Sequence, residues 1–237
     1  MRKKTLAAVL TGAFAFSMVG VAQADINDTT FDLSQFSLSP AKSGTSKKPK
    51  PVTLKLGVKG GTKSGTGQPS TSTSLKITLP KGVKWNGKAW AKSKRCSKGV
   101  NSNSSCPKGS KVGSGHVDAE ALGTPESIDV TAYVLTNGNL GLFLVGSPLE
   151  LNTMLEGKVK GNVITVAIPI QVQEPIPNVK SAIRTLSFSL NGKTKVKGKS
   201  RGVVESTGCS GGKWTLKFQN VMTDGKLSDS RSVSCKK

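Results

Sequence analysis

Histidine, aromatic residues and acid are all in short supply in this sequence. His116 is the single histidine among 237 residues, aromatics make up 5%, and 13 Asp and Glu stand against 35 Lys and Arg. One histidine cannot build a His-rich metal centre, and it would have to serve as the base of any Ser-His-Asp site. Asp118 lies only two residues away, and no G-x-S-x-G elbow exists to present a nucleophile. His116 therefore reads as a surface or strand-end residue. Paired carboxylates for glycoside hydrolysis remain formally available among Asp118, Glu120, Glu126, Glu150 and Glu156, but nothing in their spacing brings two together. Asp25, Asp28 and Asp32 lack the pattern of a calcium loop. Gly109, Gly113 and Gly115 match neither common phosphate-loop pattern and are read instead as permitting tight turns and close strand approach. No catalytic constellation, metal or cofactor is expected.

Long apolar runs are missing everywhere except at the start. Arg2, Lys3 and Lys4 precede an apolar run from Leu6 to Val21, and Ala22-Gln23-Ala24 supplies a small-x-small cleavage pattern before Asp25. The run is short for a bilayer span of about 20 residues. Residues 1–24 are thus expected to be a secretory signal peptide that is removed. Residues 25–50 then form a polar N-terminal segment, and residues 51–237 a single β domain. No transmembrane segment is expected in the mature chain. Leu79-Pro80-Lys81-Gly82 lacks the threonine and apolar tail of a wall-sorting signal, so no covalent anchor is expected either. The expected location is outside the cell, with any surface association non-covalent.

Four cysteines in an exported chain form an even set, for which pairing is the default. Metal binding would want C-x-x-C spacing, which is absent. Three pairings are possible. The local ones, Cys96–Cys106 and Cys209–Cys235, are the expected pair, since each brackets a loop-like or hairpin-like stretch.

Scarce aromatics leave Val, Ile and Leu to fill the core, and these residues alternate. Val52, Leu54, Leu56 and Val58 occupy every second position, as do Leu75, Ile77 and Leu79, and later Ile128, Val130, Ala132 and Val134. Period two marks half-buried strands. Asn137-Gly138 between two such runs is a strong hairpin signal. Further turns fall at Gly161-Asn162, Asn191-Gly192 and Asp224-Gly225. Pro169 should end or break its strand. About ten strands and no amphipathic helix predict an all-β antiparallel β-sandwich, jelly-roll-like or immunoglobulin-like, with a closed β-barrel as the alternative.

The acids are also unevenly placed. None occurs from Leu33 to Val117, a stretch holding 17 Lys and Arg. Such asymmetry points to an anionic partner, or to a surface kept soluble by lysine. Two regions stand out. Lys84, Trp85, Lys88, Trp90, Lys92, Lys94 and Arg95 interleave aromatic rings with cations, a pattern able to stack sugars or bases while holding phosphates. Lys193, Lys195, Lys197, Lys199 and Arg201 occupy every second position and, on one strand, would form a single cationic row. The expectation is a secreted, non-catalytic protein that binds anionic polymers such as teichoic acid, nucleic acid or acidic glycans weakly and without sequence specificity. A structural or adhesin-like surface protein is the alternative, and a secreted hydrolase follows behind it.

Several stretches carry a family resemblance: Leu38-Ser39-Pro40 with Gly44 and Pro51; Leu79-Pro80-Lys81-Gly82-Val83; Cys106-Pro107 with Ser110, Val112, Gly113 and Gly115; and Cys209 with Trp214. Across most of the mature length the sequence resembles a loosely defined set of uncharacterised exported proteins of actinobacteria and related soil bacteria. The resemblance implies an all-β secreted protein and brings no activity with it.

Overall fold

The computed structural model describes residues 24–237. Apart from Ala24, the expected signal peptide lies outside the described residues. Strands β1 (Thr29–Ser39), β2 (Lys50–Pro51), β3 (Thr53–Thr62), β4 (Ser72–Thr78) and β5 (Val83–Trp85) precede the first disulfide loop. Then β6 (Lys111–Ala121), β7 (Thr124–Val134), β8 (Leu140–Ser147), β9 (Leu151–Lys160) and β10 (Val163–Ala167) follow as successive hairpins. A single helical turn, α1 (Ile170–Gln173), leads to β11 (Ser181–Leu190), β12 (Lys193–Val196), β13 (Lys199–Gly202), β14 (Val204–Ser206), β15 (Lys213–Met222) and β16 (Gly225–Ser234).

Eleven strands form one antiparallel sheet in the order β1-β3-β11-β6-β7-β8-β9-β10-β4-β15-β16. Its two edges face each other. The Leu33 N–H donates to Asp229 Oδ2 at 2.8 Å, and the Arg231 guanidinium donates to the carbonyls of Leu33 and Ser34. Phe31 stacks on Phe218 across the same seam, with ring centroids 5.4 Å apart. The all-β expectation holds, and one nearly closed sheet is nearer the barrel alternative than two separate sheets. Segment 25–50 does not stand apart, since it supplies β1. Among the described residues, no helix is long and apolar enough to cross a membrane.

The alternation seen in sequence sets which side chains point inward. On β15, Trp214, Leu216, Phe218, Asn220 and Met222 are buried, and Lys213, Thr215 and Lys217 are exposed. Gly113 and Gly115 let β6 lie close to β11, where a Cβ would collide with the backbone of Ser189 and Ser187.

The two ends of the barrel differ. At one end, β4 runs out into residues 79–110 and β11 runs out into β12–β14. Two small sheets, β12-β13 and β2-β14-β5, cover this end. The disulfides Cys96–Cys106 and Cys209–Cys235 form as expected from the sequence, and disulfides belong to oxidising compartments. The first one pins a loop over apolar side chains on the outside of the barrel: Tyr133, Leu135 and Phe143 cluster with Cys96, all of them buried. At the opposite end are the turns β6–β7, β8–β9 and β15–β16, the β3–β4 loop, and the connection carrying α1.

Candidate functional site

Both basic regions lie at the covered end. Val204 pairs with Trp85 and Glu205 with Lys84, so β14 ties the loop around residues 84–95 to the β12–β13 hairpin. Residues about a hundred positions apart in sequence thus share one face of the molecule.

Several of the residues singled out from the sequence are nevertheless committed to structure. Trp90 is buried to 2% exposure, and its Nε1–H donates to the Gly109 carbonyl at 3.0 Å. The Trp85 Nε1–H donates to the Gly138 carbonyl at 2.7 Å. Arg95 donates to the carbonyls of Lys88, Trp90 and Thr136, holding its own loop in shape. Arg201 makes a two-pronged pair with the fully buried Glu205, at 2.6 and 2.8 Å, and Lys84 Nζ lies 3.9 Å from the same carboxylate. That hydrogen bond from Arg201 to Glu205 raises the pKa of the guanidinium still further. An aromatic platform interleaved with free cations does not form, because the rings fill the core and cover the barrel.

The expected cationic row is also broken. Lys197 and Gly198 take φ of 49° and 76°, which makes them the turn of a two-residue hairpin. Lys193 and Lys195 stand on one face of β12, while Lys199 and Arg201 follow on β13, opposite Val196 and Thr194. Period-two spacing cannot by itself distinguish a straight strand from a hairpin with a Lys-Gly turn. Lys88, Lys92, Lys94, Lys193, Lys195, Lys197 and Lys199 remain exposed.

Beside them, Glu156 accepts from Lys98 Nζ at 2.7 Å and from the side-chain amides of Asn137 and Asn139 at 2.7 and 2.6 Å. The Lys98 hydrogen bond, helped by the two amides, holds its pKa down at about 2. This carboxylate fastens the disulfide loop to the β7–β8 turn.

The second feature lies inside the barrel. A cavity of about 240 Å³ extends toward the opposite end, where Leu149 to Leu151, Gln171, Val172 and Pro175 close over it. Its deeper wall includes Leu75, Val130, Leu140, Leu155, Phe188 and Phe218. Ile77, Leu142, Ile168, Ile183 and Leu186 point into it and are only partly buried, so these inward side chains do not fill the space between them. Three exposed large apolar residues, Leu122, Ile170 and Ile176, stand at this same end.

Two acids line the cavity, the exposed Glu150 and the buried Glu126. Glu126 is inward-facing on β7, in phase with Ile128 and Val130, and only 7% exposed. It occupies a niche between small residues, with Ala119 directly opposite in the ladder and Gly146 so close that a Cβ there would come 3.0 Å from Oε1. Oε2 accepts the Leu149 N–H at 3.2 Å, whereas Oε1 has no hydrogen-bond partner. Leucines on alternate positions read from sequence as packed core, so the cavity was not legible there. The signal that could have found it is an acid in phase with an inward apolar run.

His116 sits on the outer face of β6 and β7. Its Nδ1 lies 3.0 Å from Asp129 Oδ1 and its Nε2 lies 3.1 Å from Asp118 Oδ1. With a carboxylate on each nitrogen, the ring is favoured as a doubly donating imidazolium, and its pKa is raised, mainly by Asp129. Asp118 is held below its usual range, first by the Thr185 hydroxyl. Ser127 Oγ reaches only to 3.5 Å of Nε2, on the nitrogen already facing Asp118. A general base for a serine needs a free, neutral nitrogen, and this arrangement works against one. Among the described residues, no cluster of three or more His, Cys, Asp or Glu could hold a metal ion.

No protein-family model matches the chain, and no curated protein matches it.

Proposed function

We propose that this chain is an exported, non-catalytic binding protein that holds a small apolar molecule inside its barrel. The carrying observation is the cavity of about 240 Å³ with walls of Leu, Ile, Val and Phe. It exceeds the ~150 Å³ of an apolar cavity that accepts benzene. Burying hydrocarbon against partly exposed Leu142, Ile168 and Ile183 removes apolar surface from water, at roughly 25 cal/mol per Å². The exposed Leu122, Ile170 and Ile176 give the rim an apolar character suited to transferring such a molecule. The test is a titration with N-phenyl-1-naphthylamine, whose fluorescence rises in apolar surroundings. The wild type should show one saturable site. Leu142→Trp, which places an indole in the cavity, should lose that site while keeping the wild-type melting transition. Absence of saturable binding by the wild type would defeat the proposal.

A second reading concerns the covered end and is favoured by a separate observation. Residues 84–95 and 193–201 converge there, with seven lysines exposed and few acids nearby. We propose that this end holds anionic envelope polymers weakly, with an affinity that falls steeply as salt rises. Retention on teichoic acid or DNA should drop between low and moderate salt. The drop should be shallower for a variant with Lys193, Lys195, Lys197 and Lys199 changed to Gln. An adhesin-like assembly through strand addition has less support, because the two sheet edges are engaged with each other.

A further inference from the structure

The cavity has a continuous wall, because the strands from β1 to β16 form one laddered sheet whose seam Asp229 and Arg231 bridge. Parting two strands would break several backbone hydrogen bonds at once. The covered end is blocked by two small sheets and the buried Trp90 and Trp214. At the opposite end two segments lie over the cavity, and they are held differently. The β8–β9 turn is short and tied: Gly146 pairs with Leu151 across it, and the Leu149 N–H donates to Glu126 Oε2 at 3.2 Å. The β10–β11 connection is long and tied mainly at its ends. There the Ile168 N–H donates to the Thr73 carbonyl at 2.9 Å, and Gln68 Nε2–H donates to the Lys180 carbonyl at 2.7 Å. Between those anchors the backbone bonds to itself. The Val172 and Gln173 N–H groups donate to the Pro169 carbonyl, the Glu174 N–H to Ile170, and the Val179 N–H to Ile176. Among the described residues, one hydrogen bond joins residues 169–178 to a strand: the Ser181 hydroxyl donates to the Val172 carbonyl at 2.8 Å. Pro169, Pro175 and Pro177 fix φ along this stretch, and Asn178 takes a φ of 64° at its far end. A stiff segment with a single tether is the part of this end that opens at least cost.

We propose that residues 169–178 are the gate of the cavity, a strap that swings aside about Ile168 and Asn178 to admit the ligand, with the Ser181–Val172 hydrogen bond as its latch. This rests on the cavity-binding reading and names how that site opens. Val172 and Pro175 line the cavity from the strap. Closing them over a bound hydrocarbon takes apolar surface out of water, so binding and closure favour each other. The latch belongs to the closed strap, whether the barrel is empty or filled. Its loss therefore speeds entry and exit alike and leaves the affinity almost unchanged. Losing one neutral hydrogen bond shifts such an equilibrium about fivefold.

The experiment follows N-phenyl-1-naphthylamine binding to the full chain by stopped-flow fluorescence, beside amide hydrogen exchange. In the wild type, the amides of residues 172–174 should exchange faster than those of Leu144 and Val166, and should slow when naphthylamine is bound. Ser181→Ala should raise the association and dissociation rate constants together by about fivefold, and exchange at residues 172–174 by the same factor. The dissociation constant should stay near its wild-type value. Ser181→Thr, which keeps the hydroxyl, should retain wild-type rates. Glu126→Leu, which releases the Leu149 N–H and loosens the β8–β9 turn instead, should leave the association rate unchanged. Rates that ignore Ser181→Ala while saturable binding persists would overturn the gate and leave the cavity reading standing. So would an association rate that rises with Glu126→Leu and not with Ser181→Ala, which would place entry at the β8–β9 turn. Failure of naphthylamine to bind the wild type at all would overturn the cavity reading, and the gate with it.

Discussion

Glu205 and Glu126 are both buried carboxylates, one at each end of the barrel, and they are treated in opposite ways. Glu205 is fully buried and gripped on both oxygens by Arg201, with Lys84 behind. Glu126 has one backbone donor and a second oxygen that is buried without a hydrogen-bond partner. A buried charge satisfied within the protein holds structure together. One left partly unsatisfied is a cost to stability. The same contrast runs through the two ends. The Glu205 end is covered by small sheets, two disulfides and two buried tryptophans. The Glu126 end is spanned by turns and one helical turn.

The contrast can be broken most sharply by removing partners. Arg201→Met strands Glu205 in the interior and should cost about 3 kcal/mol of stability by denaturant unfolding. The double variant Arg201→Met/Glu205→Leu should recover most of that loss. A single-variant loss below about 1 kcal/mol would mean that Glu205 is not the keystone described. Removing Cys96 and Cys106 together, both to Ser, should cost about 2–3 kcal/mol by freeing the loop in the unfolded chain. The same change should speed amide exchange at Tyr133 and Phe143, which that loop covers, and not at Val117 or Ile128. At the open end, Glu126→Leu should raise stability by about 1 kcal/mol, because it removes a buried, half-satisfied charge. A clear destabilisation there would make Glu126 a structural residue like Glu205.

The smallest effect concerns pH and the outer face. The His116 pKa is raised above its ordinary 6.5, so its contribution to stability is fully present below that value. That contribution fades as pH climbs through the folded-state pKa. The site is well exposed, so the effect should stay under about 0.5 kcal/mol. The melting temperatures of wild type and His116→Gln should differ at about pH 5 and converge by about pH 9. A gap that widens toward high pH would show that the ring is not acting as an imidazolium.

Much of the fold was legible because period-two alternation and turn dipeptides are local signals. Asn137-Gly138, Gly161-Asn162 and Asn191-Gly192 fall between strands in the structure, and Asp224 does too, with Gly225 opening β16. The disulfide pairs followed from short loops. Closure of the sheet was not legible, since it depends on Asp229 and Arg231 meeting β1 across nearly the whole length of the chain. The β12–β13 hairpin was hidden because lysine accepted a positive φ that glycine or asparagine usually marks. The outward-facing Tyr133 and Phe143 are covered by a loop that no periodicity announces. At the candidate sites the sequence identified the basic segments and missed the cavity. Charge can be counted along a chain, whereas unfilled volume exists only after the walls are assembled.

The central claim is that a small apolar molecule is held in the cavity inside the barrel. Its most direct test is a methyl-resolved NMR titration of the full protein with 1-octanol. Saturable shifts should appear at Leu140, Leu142, Leu155 and Ile168, with none at Leu79, Val203 or Val204 under the covered end. Shifts confined to the exposed Leu122, Ile170 and Ile176, or growing without saturation, would show surface adsorption and contradict the account.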